Sequence, residues 1–173
     1  MKGLVHVYTG EGKGKTTCSL GMALRVLGWG KRVCVLQFIK GYIEIGEKYF
    51  SDIFDRFDLI QFSHSEHTDI TLEDVKNSKE SCEKALSKIK SIIESKEYDL
   101  VILDEINGAI AYDLVDLNDV IEVIKNKPEE LELILTGRYA LPEIIELADY
   151  ATEMRLIKHP YQKGILARKY FDY

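Results

Sequence analysis

Eight residues near the amino terminus, GEGKGKTT from Gly10 to Thr17, have the types and spacing of a loop that holds phosphate. Glycines at 12 and 14 let backbone N–H groups crowd around an anion, Lys15 brings a point charge, and Thr16 offers a hydroxyl to a metal ion. The common nucleotide loop reads G-x-x-x-x-G-K-[ST], which would require glycine at position 9. Here that position is Thr9 and Gly10 stands one place later, so the loop is one residue short. These residues predict a bound polyphosphate held in a geometry unlike that of ordinary phosphate-loop hydrolases.

A second chemical element lies at the end of VILDE, Val101 to Glu105. An apolar run buried on both faces that ends in Asp104 and Glu105 places acid beside a phosphate loop, where it can bind magnesium directly or through water. By itself the pattern equally describes a strand followed by a solvated acidic turn; the glycine loop upstream favours the functional reading. Other candidates carry less. Asn126 to Glu129 (NKPE) imitates a guanine-selecting motif but has Glu129 for aspartate and precedes a strand instead of following one, so it reads as a helix-ending proline turn. His64 and His67, with Glu66 and Asp69, have metal-like spacing, but in a polar loop without cysteines they read as solvated or substrate-facing. Arg25, on the helix after the loop, is either a surface arginine or a phosphate contact. No Ser/His/Asp or Cys/His nucleophile constellation stands out. A group transfer driven by positioning suits this inventory.

The elements that must position these residues alternate strand and helix. Leu4 to Tyr8 reads as a strand running into the glycine loop, followed by a helix from Thr16 to Leu27 closed by Gly28. Strands follow at Arg32 to Phe38 and Leu59 to Phe62. A long helix from Leu72 to Lys96 starts at the Thr71–Asp74 capping pattern and carries an apolar stripe of Leu72, Val75, Cys82, Leu86, Ile89 and Ile93. Leu100 to Leu103 is a strand, Asp116 caps a helix to Lys125, Leu131 to Leu135 is a strand, Pro142 starts a helix to Ala148, and Tyr150 to Arg155 is a last strand. The order predicts an α/β fold, a doubly wound and mainly parallel sheet flanked by helices. Ile39 to Ser51 and Ser63 to Ile70 take no assignment and are expected to line the ligand crevice.

The 173 residues are enough for one domain with one good core. Three cysteines, Cys18, Cys34 and Cys82, are an odd number without ligand spacing and read as buried or inert thiols in a reducing compartment. With no leader and no apolar span, a soluble cytoplasmic protein is expected. The net charge of −6 argues against a partner that is read through its phosphate backbone, so no nucleic acid and no membrane is expected.

Taken together, the strings TGEGKGKTT from Thr9, LGMALRVLGWGKRV from Leu20, QFIKG from Gln37, VILDEIN from Val101, LTGR from Leu135 and ADYATEMRLIKHPYQKGILARK from Ala148 closely resemble the ATP:corrinoid adenosyltransferases of the CobO/BtuR type. The resemblance runs nearly end to end. It implies a P-loop NTPase-like fold in which ATP lies on the short loop with reversed orientation, so that cobalt(I) of a reduced corrinoid attacks C5′ of the ribose and expels triphosphate. It further implies that Thr9, Gly10, Glu11, Gly12, Lys13, Gly14, Lys15, Thr16 and Thr17 hold ATP together with Arg25. Thr16 and Glu105, supported by Asp104, would ligate magnesium or manganese, with Lys15 and Glu105 central to catalysis. Asn107, Arg138 and His159 match family strings on the corrinoid side, where His64 and Phe62 also fall. Some relatives use a phenylalanine and tryptophan pair after the third strand to exclude the lower axial ligand of cobalt. This chain has QFSHSEHTDI from Gln61, with its sole tryptophan at Trp29, so Phe62 stands alone for that role. Tyr170 and Phe171 stand where relatives often have glycine and isoleucine. A homodimer served by a flavoprotein or other reductase is implied as well. The competing readings are a P-loop ATPase or nucleotide switch that gates a partner protein, which the short loop disfavours, and an inactive corrinoid carrier, which the intact Lys15, Thr16 and Glu105 disfavour.

Overall fold

A computed structural model describes residues 2–38, 44–62 and 72–172, with backbone alone for 72–83. Strands β1 (Val5–Thr9), β2 (Val33–Gln37), β3 (Phe57–Gln61), β4 (Leu100–Asp104), β5 (Glu132–Thr136) and β6 (Tyr150–Glu153) form one sheet in the order β3-β2-β4-β5-β1-β6. Every neighbouring pair is parallel, so the mainly parallel sheet expected from the sequence is wholly parallel among the described residues. Strands buried on both faces read as continuous apolar runs, which is why VCVLQ and LVILD carried the signal: both are buried throughout.

Successive residues of each strand point to opposite faces. Val33 and Val35 of β2, Leu100 and Ile102 of β4 and Ile134 of β5 pack with Ala23 and Leu27 of helix α1 (Lys15–Gly28). Cys34, Leu36, Val101, Leu103, Leu133 and Leu135 face the other way, against α3 (Leu72–Ser95), α5 (Leu117–Asn126) and Ile144 of α6 (Pro142–Glu146). The apolar stripe on α3 is core at Leu86, Ile89 and Ile93; the side chains of Leu72, Val75 and Cys82 lie outside the described residues. Helix α5 starts where expected, Asp116 accepting from the Asn118 N–H at 2.7 Å. The NKPE segment is structural: Lys127 donates to the carbonyls of Gly3 at 2.8 Å and Leu131 at 2.9 Å.

Three short elements were not legible in the sequence. A 3-10 turn at Gly46–Tyr49, inside the segment left unassigned, leads into α2 (Phe50–Ile53), and α4 (Ile106–Ala111) follows Glu105 directly. Each is too short for periodicity to declare itself, and Gly108 interrupts the pattern of α4. The rest of the unassigned residues, 39–43 and the loop Ser63 to Ile70, lie outside the described residues. No described helix is long and apolar enough to cross a membrane.

Candidate active site

Parallel register brings five strand ends to one edge of the sheet: Gln37 pairs with Asp104, Leu103 with Leu135, Tyr8 with Thr136, and Thr9 with Glu153. Ligands of open parallel sheets bind beyond these carboxyl ends. The glycine loop springs from β1 and is braced by the segment after β6. Gly12 N–H donates to the Met154 carbonyl at 2.6 Å and Met154 N–H to the Thr9 carbonyl at 2.8 Å. A Cβ at Gly10 or at Gly12 would come within 2.6 Å of that same Met154 oxygen, so the loop closes this tightly because both positions lack side chains. The Gly12 N–H is thereby engaged within the fold, by Met154.

Lys15 is only 7% exposed. Its ammonium donates to the carbonyls of Gly10 at 2.7 Å and Gly12 at 2.9 Å, clamping the loop from inside. Desolvation lowers its pKa from the usual lysine value, opposed chiefly by the charge of Glu105. The carboxylate pair is divided in environment. Asp104 is fully buried and accepts from Thr16 Oγ at 2.9 Å, Thr136 Oγ at 2.6 Å and Gln37 Nε2 at 3.2 Å. Glu105 has left-handed backbone, φ 63°, and its N–H donates to Thr136 Oγ at 3.0 Å, which turns the chain sharply between β4 and α4. Thr136 thus holds the Asp104 carboxylate and the Glu105 backbone.

Glu11 to Thr17 and Glu105 line a cavity of about 850 Å³ whose far wall includes Phe50, Arg138, His159 and Tyr170 to Asp172. Arg138 lies 3.5 Å from Glu11, and Lys13 donates to Asp172 at 2.6 Å. His159 caps a 3-10 turn at Pro160–Lys163, its Nδ1 accepting from Tyr161 N–H at 3.2 Å. A second cavity, of about 670 Å³, adjoins the first through Glu11, Lys13, Arg138 and His159 and is walled by Leu156, Ile165 and Leu166 of the carboxyl-terminal segment.

The predicted residues therefore fall into groups. Glu11, Gly12, Lys13, Gly14, Lys15, Thr16, Thr17, Glu105, Arg138 and His159 meet at one cavity. Thr9 and Gly10 lie beneath it as braces, the Thr9 hydroxyl accepting from Ala140 N–H at 3.2 Å. Asp104 is behind Thr16 instead of on the cavity wall. Arg25 is exposed and does not line the cavity; ten residues of helix carry it about 15 Å from Lys15, and its Nη1 lies 4.0 Å from Met22 sulfur. Phe62 packs on Phe38, ring centres 5.6 Å apart, at the margin of the core. Asn107 is 1% exposed, and neither atom of its amide finds a partner among the described residues. His64 lies outside the described residues. Of the thiols, Cys34 is buried and Cys18 exposed, and both are free.

Sequence reasoning missed Gln37, Thr136, Met154 and Asp172. Gln37 and Thr136 end apolar strands, a weak signal for a polar residue facing a site. Met154 and Asp172 act through contacts that only folding creates.

Among the described residues no group of three or more His, Cys, Asp or Glu side chains converges as a metal cage. The oxygen donors Thr16 and Glu105 on one cavity do fit magnesium, which is commonly held by one or two protein oxygens plus substrate phosphates.

A sequence profile described as ATP:corrinoid adenosyltransferase BtuR/CobO/CobP matches residues 1–173. A corrinoid adenosyltransferase of Sinorhizobium is 39% identical over 174 residues, covering 97% of this chain and 79% of the relative. The corrinoid adenosyltransferase of Escherichia coli K12 is 33% identical over 173 residues, 99% of this chain and 86% of its own length. Among solved structures, the flagellar accessory protein FlaH of Methanocaldococcus jannaschii superposes with a TM-score of 0.56 at 18% identity, covering 88% of this chain and 71% of its own. That likeness bears on the fold alone, which is P-loop NTPase-like.

Proposed function

This chain belongs to the ATP:corrinoid adenosyltransferase family BtuR/CobO/CobP, and we propose from its own residues how it transfers the 5′-deoxyadenosyl group of ATP to cobalt(I) of a corrinoid. The reaction serves adenosylcobalamin synthesis or salvage. The cobalt(I) electron pair forms the bond to C5′, the C5′–O bond breaks, and its electrons leave with triphosphate. Cobalt(I) is already a strong nucleophile, so the protein's work is alignment, for which good orientation supplies about 7–11 kcal/mol, and stabilisation of charge growing on the leaving group.

The observation that carries this reading is the one cavity lined by Lys13, Lys15, Thr16 and Glu105, beside a loop braced against Met154. Lys13 and Lys15 take up triphosphate charge. Thr16 and Glu105 would hold magnesium, which would supply positive charge against the triphosphate; Asp104 orients the Thr16 hydroxyl through the 2.9 Å bond. Arg138 and His159, shared with the adjoining cavity, face the corrinoid. The family resemblance also assigns Phe62, which packs on Phe38, and the buried Asn107 to the corrinoid side. The single six-stranded sheet supports a reading of residues 1–173 as one domain. Family resemblance supports a cytoplasmic homodimer whose corrinoid substrate is reduced to cobalt(I) by electrons from a flavoprotein or other reductase.

The product distinguishes this reaction from ATP hydrolysis. In anaerobic turnover with ATP, magnesium and chemically reduced cobalamin, phosphorus NMR should show intact triphosphate appearing in step with adenosylcobalamin. Stoichiometric ADP without a cobalt–carbon product would overturn the reading.

A further inference from the structure

We propose that Asp172 is a positioning residue for the triphosphate: it competes with phosphate for Lys13, yields it to the incoming chain, and reclaims it as triphosphate leaves. The inference rests on the glycine loop being the triphosphate cradle.

Asp172 lies 159 positions from Lys13, yet Lys13 Nζ donates to its Oδ1 at 2.6 Å. The other carboxylate oxygen, Oδ2, accepts from Arg168 N–H at 3.0 Å and Arg168 Nε at 3.1 Å. The contact is built from the tail side: the Asp172 side chain is 19% exposed, the Lys13 side chain 52%. A tight turn aims it, with Asp172 N–H donating to the Arg168 carbonyl at 2.9 Å and Tyr170 in the left-handed region at φ 74°. That conformation disfavours a side chain bearing Cβ, so the turn is held by its bonds and not by local preference. The same turn carries Tyr170 and Phe171 onto the wall of the phosphate cavity.

A carboxylate oxygen and a phosphate oxygen are equivalent acceptors for an ammonium group, but the two anions repel each other at one lysine. Lys13, and then the two Arg168 donors, hold the Asp172 carboxyl well below the usual carboxylate range, so it stays ionised and competes at every pH at which an enzyme works. Arg138 on the same rim is parked in the same way, 3.5 Å from Glu11. ATP binding therefore opens the tail, and tail closure withdraws one cation from triphosphate.

Titration calorimetry with inorganic tripolyphosphate tests this on four full-length proteins: wild type, Asp172→Asn, Lys13→Ala and the double variant. Removing an exposed ionic competitor should tighten tripolyphosphate binding about twofold to fivefold. The gain should vanish in the Lys13→Ala background, and Asp172→Glu should restore wild-type affinity. Trypsin cleavage after Arg168 and Lys169 in the wild type should accelerate when tripolyphosphate saturates. Equal affinity in wild type and Asp172→Asn, a gain that survives Lys13→Ala, or a tail protected by tripolyphosphate would each overturn the proposal while leaving the cradle standing. Absence of binding to all four proteins would remove the cradle and the proposal together.

Discussion

Replacing Lys15 with alanine removes two loop contacts before it removes any phosphate contact, because Nζ donates to the Gly10 and Gly12 carbonyls at 2.7 and 2.9 Å. Hydrogen bonds from a charged donor contribute about 1.5–3 kcal/mol each. Two effects reduce the sum. Both carbonyls lie at a cavity mouth where water can replace the ammonium, and desolvation already opposes the charged lysine. A net loss of about 2 kcal/mol remains, which in a domain of this size lowers the melting temperature by about 4–8 °C. Calorimetric scans of wild type and Lys15→Ala, each with and without tripolyphosphate, separate the two roles. Ligand at about a hundred times its Kd stabilises the wild type by about 2.7 kcal/mol, and that gain should disappear in the variant. An unchanged midpoint without ligand would refute the clamp. A full ligand-induced shift in the variant would refute the phosphate assignment.

Thr136→Val removes the donor at 2.6 Å from buried Asp104 and the acceptor of Glu105 N–H at 3.0 Å. Denaturant unfolding should show a loss of about 1.5–3 kcal/mol, and magnesium-dependent turnover should fall by about 10- to 100-fold, as expected when groups that orient a metal's ligands are lost. Burial pushes the Cys34 thiol from an ordinary 9.0 up to about 12. The folded state disfavours the thiolate, so stability should decline as pH rises across that window. Peptide mapping after reaction with a thiol reagent at pH 8 should find exposed Cys18 modified in the native protein and Cys34 modified only after unfolding. Native labelling of Cys34 would contradict its burial.

Strand and helix order was legible because each long element meets a local requirement. Parallel strands covered on both faces need unbroken apolar runs, Asp116 and Pro142 start helices by their own chemistry, and the glycine loop is contiguous in sequence. The shortened loop was visible for the same reason, and with it the departure from ordinary hydrolases. Elements such as α2 and α4 are stabilised by what they touch and lack enough residues to announce themselves. The site divides along the same line. That Lys15, Thr16 and Glu105 belong together could be inferred from residue types and neighbouring strings. Folding alone decided that Asp104 is buried behind Thr16, that its carboxylate and the Glu105 backbone depend on Thr136, that Lys15 turns inward to its own loop, and that Arg25 stands away from the cavity. It also decided the pairing of Lys13 with Asp172. The partners in Thr16–Asp104, Thr136–Asp104 and Lys13–Asp172 are 88, 32 and 159 positions apart. No periodicity or local propensity acts over such separations, and parallel strand register and the path of the tail bring these groups together.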